Sequence, residues 1–515
     1  MSRAKSRIAL PIVAIAVATS AVAASMPGAF AQAAAKPELS GRLVAAATST
    51  TMERYADEDG NVWFDNPSIG SYLIANRNVP FELRTTRKSY KDPIVTKQLV
   101  RVNGKNVWRT LPNSLIKNWN GLDAFARVTM TNAAGKKISD QTQTYCPNSS
   151  AYEGGSVRYL PGAPDTSPYP NFGCYGNPFT LGMVYGVQKG WGSAVGQLGE
   201  ELSDTKKVPD GVYTVKVSVE KKYRDALGIS NDIATIKVTV KTTKEDPHGG
   251  HLAKGKQGVA PKPAAKEPTG QGAVPRTGPK PDLRALPSFG IFAEGDDPDT
   301  PEKERDTLGF GANVWNAGPS PLVVDGFRRP SEDIMDAYQY FYDANGKPTG
   351  YKKTGTMEWD PRESHHHWHF KDFAQYTLLK ENKTEAVRSH KEAFCLAPTD
   401  AIDLLVKGAN WQPGDRDLHT ACGGKTALSI REVLDVGHGD TYTQARAGQA
   451  FDIQDLPNGV YFIKIEANPM KNLYESNLKN NVSLRKVILG GKPGARTVQV
   501  PPYEGIDSEG PLARR

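Results

Sequence analysis

Residues 246–286, which open "DPHGGHLAKGKQGVAPKPAAKEPTGQGAVPRTGPKP", contain almost no large apolar side chain and are rich in Pro, Gly and Lys. Such a stretch cannot bury enough surface to offset the entropy of ordering it, so it is expected as an extended linker. It divides a chain of 515 residues, already long for a single core, into two regions of ordinary domain size. Both regions read as β-rich, with short runs of Val, Ile, Thr and aromatics separated by turn residues. The fold expected is mainly β: two β-sandwich-like domains over 40–245 and 287–492, joined by the linker and followed by a tail at 493–515.

Two stretches resemble each other across that divide. "VPDGVYTVKVSV" (208–219) and "LPNGVYFIKIEA" (456–467) each place a Pro-(Asp/Asn)-Gly turn before an alternating strand. Each is followed by an Asn-containing turn and a further strand, "NDIATIKVTV" and "NNVSLRKVIL". Duplication of one sandwich explains this, and so does a corner common to many sandwiches.

The N-terminus reads as a secretory leader over residues 1–31. Arg3, Lys5 and Arg7 precede the apolar run Ile8–Ala24, and Ala29-Phe30-Ala31 supplies small residues for cleavage. Losing those three cations takes the formal charge from +8 to +5, too modest for a nucleic-acid binder. That charge suits loose association with an anionic wall or matrix. No later stretch is long and apolar enough to span a bilayer, so a secreted, extracellular protein is expected. Its four cysteines fall as two local pairs, Cys146 with Cys174 and Cys395 with Cys422, read as two disulfides.

All nine histidines lie at position 248 or later, so any imidazole chemistry belongs to the second half. The first half is read as a binding or spacer module. Four histidines crowd into "ESHHHWHF" (363–370). On a helix His365, His366 and His369 share a face; on a strand His365, His367 and His369 do. The aromatic, β-rich surroundings favour the strand. A flat strand separates its first and fifth residues by roughly 13 Å, so a bend or bulge is needed for one metal to reach all three. Three neutral nitrogens suit a catalytic metal with open positions, and the pattern alone does not separate zinc from copper.

Downstream stand "SHKEAFCL" (389–396) and "GDTYTQ" (439–444). With "HHHWHF…DFAQY" they resemble the copper-dependent lysyl oxidase family, specifically its microbial members. "KPDLRALPS" (280–288), "LGFGANVWNAGPSPL" (308–322) and "LPNGVYFIKIEANP…ESNLKNNV" (456–482) resemble family segments in the same order. The resemblance covers roughly 280–490. It implies that His365, His367 and His369 bind copper, and that Lys391 and Tyr442 join covalently as lysine tyrosylquinone. Ser364 stands where the animal enzymes carry a cysteine. Taken alone, Lys391 reads equally as a solvated surface cation and Tyr442 as a packed core ring.

The resemblance further implies oxidative deamination of primary amines, peptidyl lysine among them, with dioxygen as oxidant and aldehyde, ammonia and hydrogen peroxide as products. Asp440, two residues before Tyr442 and on the same strand face, is the candidate general base. Asp440 also reads as a turn residue after Gly439, and Asp372 is a weaker rival. Three other classes remain: a non-catalytic copper-binding protein, a zinc hydrolase and a purely structural wall protein. The first uses the histidines alone, the second leaves Lys391 and Tyr442 without a role, and the third leaves the histidines without one.

Overall fold

Alternation of buried and exposed side chains dominates both halves, and the chain is mainly β. In Ile233–Thr243 every second residue from Ala234 to Val240 is buried, the pattern of a sheet with one face on a core. The computed structural model describes residues 35–56, 62–64, 68–148, 156–174, 176–243, 268–294, 306–343, 346–361, 366–389, 393–414, 418–443 and 449–509. The expected leader, most of the Pro/Gly/Lys-rich stretch, His365, His390 and Lys391 lie outside them.

The N-terminal half holds two four-stranded sheets and one of six strands. The six-stranded sheet runs Val62–Trp63, Ser49–Ala56, Ile233–Thr243, Gly211–Val219, Leu122–Asn132, Lys137–Tyr145. Leu73, Phe81, Leu83, Phe125, Tyr185 and Val217 are among the fully buried side chains of its core. A short helix, Lys221–Leu227, connects two of the strands. Cys146 is bonded to Cys174 and Cys395 to Cys422, so every cysteine of the chain is paired.

Three sheets build the C-terminal half. The strand Thr307–Asn316 is buried at every residue because it has neighbours on both edges and both faces. Against it lie Leu283–Ala285 and His438–Tyr442, and His438–Tyr442 pairs in turn with the two-residue strand Asp400–Ala401. A second sheet runs Ala393–Phe394, His367–Lys371, Pro348–Asp360, Ile334–Tyr342, Leu322–Arg328, Ser429–Leu434. Its two ends meet through residues 421–424. Ala421 bridges to Arg431, and the Cys422 carbonyl accepts the Trp368 N–H at 3.0 Å. This sheet therefore closes on itself and leaves the histidine strand no open edge there.

Residues 269–275, the described end of the Pro/Gly/Lys-rich stretch, run along the strand Pro348–Asp360. Lys353 donates its N–H to the Gln271 carbonyl (2.9 Å), and the Tyr351 hydroxyl reaches the Thr269 carbonyl (3.1 Å). Pro37–Arg515 makes up one compact unit. Where the halves touch, Phe179 of the first packs with Leu286, Phe289, Trp315 and Ile402 of the second. Backbone bonds from Leu181 to the Ile402 carbonyl (2.7 Å) and from Leu404 to the Gly182 carbonyl (3.0 Å) run alongside.

Candidate active site

The histidine strand His367–Lys371 owes its orientation to two aromatic residues. Trp368 and Phe370 are buried in the apolar core, so alternation sends His367 and His369 to the opposite face. Trp368 is fixed by an edge contact with Trp359 at 5.9 Å and by its Nε1 donating to the Gly424 carbonyl (3.1 Å). The two imidazoles lie 4.7 Å apart, centre to centre. His366 is exposed and takes a left-handed backbone, φ 46°, so the regular strand begins at His367 and the chain bends just before it.

Asp360 sits opposite His367 in the register, and its Oδ2 lies 3.2 Å from Nδ1 of the fully buried His369. A carboxylate on Nδ1 orients the ring and favours Nε2 as the lone pair offered to a metal. The donors present therefore fit a metal that prefers imidazole, although no group of three His, Cys, Asp or Glu gathers among the described residues. Asp372 occupies a turn with φ 60° after the strand.

Tyr442 reaches the neighbourhood of that strand through Cys395. Its hydroxyl accepts the Cys395 N–H at 3.0 Å and donates to the Cys395 carbonyl at 3.3 Å. Phe394, next to Cys395, pairs in register with Phe370, next to His369, and its ring meets the Tyr442 ring edge-on at 4.9 Å. Ala393, two positions after Lys391, pairs with Lys371, two positions after His369. Three separated sequence blocks thus converge: the histidines, the segment following Lys391, and Tyr442.

Asp440 lies on the strand His438–Tyr442, not in a turn, and is buried. Burial, then the negative charges of Asp440 and Glu432, push the Tyr442 hydroxyl well above its ordinary value, so it stays a neutral phenol. Tyr376 is raised in the same way, by burial and then by Asp440.

Glu432 was not among the sequence candidates, yet it is fully buried beside this group. One of its oxygens accepts the Leu396 N–H (3.0 Å), while Oε1 has no partner. Burial is the main reason its carboxyl is held far above the usual range. A sequence signal existed: in Ser429–Leu434 the alternation sets Glu432 between Ile430 and Leu434 on an apolar face.

His438 is held in the core by its surroundings. It is buried, its Nε2 lies 2.7 Å from the Asn410 carbonyl, and burial lowers it to about 4. Phe172 of the N-terminal half meets its ring edge-on at 5.5 Å.

Comparison with known proteins matches residues 341–495 to the lysyl oxidase family. "Lysyl oxidase homolog 2" of Xenopus tropicalis is 30% identical over 139 residues, 27% of this chain and 16% of that protein. "Protein-lysine 6-oxidase" of Homo sapiens is 32% identical over 128 residues, 24% of this chain and 26% of that protein. The same-named protein of Sus scrofa is 31% identical over 128 residues, 44% of its length. The chain therefore spans less than half of each of these relatives, and the resemblance holds for a segment that includes the histidine strand, the Glu432 strand and Tyr442.

Proposed function

We propose, from the lysyl oxidase resemblance of residues 341–495 and the geometry around Tyr442, that the chain is a copper- and quinone-dependent amine oxidase. It would convert a primary amine, water and dioxygen to an aldehyde, ammonia and hydrogen peroxide, with peptidyl lysine as the substrate class. The observation that carries the reading is the Tyr442 hydroxyl bound to the backbone of Cys395, four positions after Lys391 and one after a residue paired to the histidine strand.

His367 and His369, with His365, would hold copper, and Lys391 with Tyr442 would form lysine tyrosylquinone. Bound, these groups would supply the carbonyl electrophile and the path for electrons to dioxygen. The chain's own residues do the rest. Asp360 holds the His369 ring by Nδ1. The Cys395 backbone fixes the Tyr442 ring through its hydroxyl. Asp440, within electrostatic reach of Tyr442, is the group to take the proton from the carbon bearing the amine. Burial pushes the Tyr376 hydroxyl and the Glu432 carboxyl well above their ordinary values, which disfavours the charged form of each. Two disulfides support work in an oxidising compartment.

The test is peptide mapping of copper-loaded, aerated, fully reduced protein, together with peroxide release on adding a lysine-containing peptide. A single species joining the Lys391 and Tyr442 peptides is expected. Both peptides free, with copper bound and oxygen supplied, would replace this reading with a non-catalytic copper-binding protein.

A further inference from the structure

Thr441 separates Asp440 from Tyr442, and alternation turns its side chain to the other face of the strand. There its Oγ1 donates to Asp400 Oδ2 at 2.5 Å and accepts from Asn313 Nδ2 at 2.7 Å. The same Asp400 oxygen accepts a second hydrogen bond, from Asn177 Nδ2 at 3.1 Å. Asn177 belongs to the N-terminal half, 223 positions away in sequence.

Asn177 is itself held firmly. It is buried, and its Oδ1 accepts the Phe179 N–H at 3.0 Å. The buried Arg87 donates to the carbonyls of Pro178 (2.7 Å) and Thr180 (2.9 Å), fixing the segment after it. Thr180 Oγ1 then donates to the Ala401 carbonyl at 3.0 Å. Gly176 and Gly182 bridge to Ala401 and Asp403, so this segment adds to the free edge of the Asp400–Ala401 strand. The Cys146–Cys174 disulfide closes three residues upstream.

A strand of two residues is too short to be stable by itself. Asp400–Ala401 is nevertheless what borders the Tyr442 strand on that side. We propose that Asn177 is a positioning residue for Tyr442, acting through Asp400 and Thr441, and that the N-terminal half thereby forms a structural part of the active site. This rests on the proposed amine oxidase reading only for its effect on the cofactor. The mechanical claim, that Asn177 holds the strand His438–Tyr442, stands apart from it.

The test uses the full chain and three variants: Asn177→Asp, Asp400→Asn, and the two combined. Asn177→Asp keeps the oxygen that accepts the Phe179 N–H but removes the amide donor and sets a carboxylate against Asp400. The double variant removes the repulsion and again sets one amide beside one carboxylate, though the Asp400→Asn change also weakens the acceptor that Thr441 uses. Two quantities are read: the rate at which the Lys391–Tyr442 cross-linked peptide forms after copper and air are added to metal-free protein, and amide exchange in the peptide containing 438–442.

Asn177→Asp is expected to slow cross-linking roughly ten-fold, the scale set by losing one hydrogen bond to a charged group, with copper stoichiometry unchanged. Exchange in 438–442 is expected to rise, and the double variant to recover most of both losses. Asn177→Asp with wild-type exchange in 438–442 and a wild-type rate of cross-linking would overturn the proposal. A wild-type chain that forms no cross-link would sink the amine oxidase reading instead, and the exchange data would still decide the role of Asn177.

Discussion

The two hairpins that share a sequence motif also share a corner. Tyr213 donates its hydroxyl to the Pro209 carbonyl at 2.6 Å, and Tyr461 donates to the Pro457 carbonyl at 2.8 Å. In each, an alternating strand follows and pairs antiparallel with the next, Gly211–Val219 with Ile233–Thr243 and Gly459–Ala467 with Val482–Lys492. Their connections differ. The first passes through the helix Lys221–Leu227, and the second through a polar turn in which Glu475 accepts from Asn468, Asn481 and the Leu283 N–H. The corner is scaffold in both halves. What separates them is the strands placed around it, since no histidine lies in the N-terminal half and the whole Tyr442 group lies in the C-terminal half.

The sharpest contrast between halves is in kind of damage. His369→Ala should reduce copper content and amine-dependent peroxide to background, as read by metal analysis and a peroxide assay. Leu83→Ala, equally buried but in the N-terminal core, should cost about 2–5 kcal/mol of stability and leave copper per folded chain unchanged. Loss of copper in both would erase the distinction. A smaller effect is expected at Asp360→Asn, where copper affinity should fall roughly 10–100-fold because the ring behind the lone pair is no longer oriented. Competition with a metal chelator measures it, and an unchanged affinity would remove Asp360 from the site.

Acid and alkaline limbs separate two buried groups of the C-terminal half. His438, lowered from 6.5 to about 4, binds a proton more readily when unfolded. It therefore contributes stability above pH 6.5 that is lost as pH falls through about 4, at most about 3 kcal/mol. His438→Gln should flatten that limb in denaturant titrations. Glu432 has the opposite sign. Its raised folded value means stability present below its ordinary 4.5 and lost as pH rises toward that raised value. Glu432→Gln keeps the acceptor for Leu396 and should remove the loss. The smallest effect tests the corner itself: Tyr213→Phe and Tyr461→Phe should each cost about 1 kcal/mol. Unequal costs would mean that the corners share a sequence and not a role.

Local patterns were the legible part of this chain. Alternation at 211–219 and 459–467 read as strands because the period of two is a property of neighbouring residues. His367 and His369 fell on one face for the same reason. Tyr442 and Asp440 were reached through family resemblance and alternation together, and the strand gives Asp440 a buried place rather than a turn. Closure of the sheet through residues 421–424 was not legible, because it depends on where two distant edges meet. The Asn177–Asp400 contact is the extreme case, joining residues that no local pattern relates. Glu432 lay between these limits: an acid on an apolar face is visible in sequence, but its backbone partner, the Leu396 N–H, comes from a distant segment.

The Cys395–Cys422 bond joins the residue whose backbone grips Tyr442 to the residue whose carbonyl grips the histidine strand. With Cys146–Cys174 it leaves the chain without a thiol. Thiolates are the side chains that peroxide attacks first, passing to sulfenic and then irreversible acids. An enzyme that releases hydrogen peroxide at Tyr442 would generate its own oxidant within reach of Cys395. By committing that sulfur to a disulfide, the fold would give such an enzyme its clasp and its resistance to peroxide in one bond.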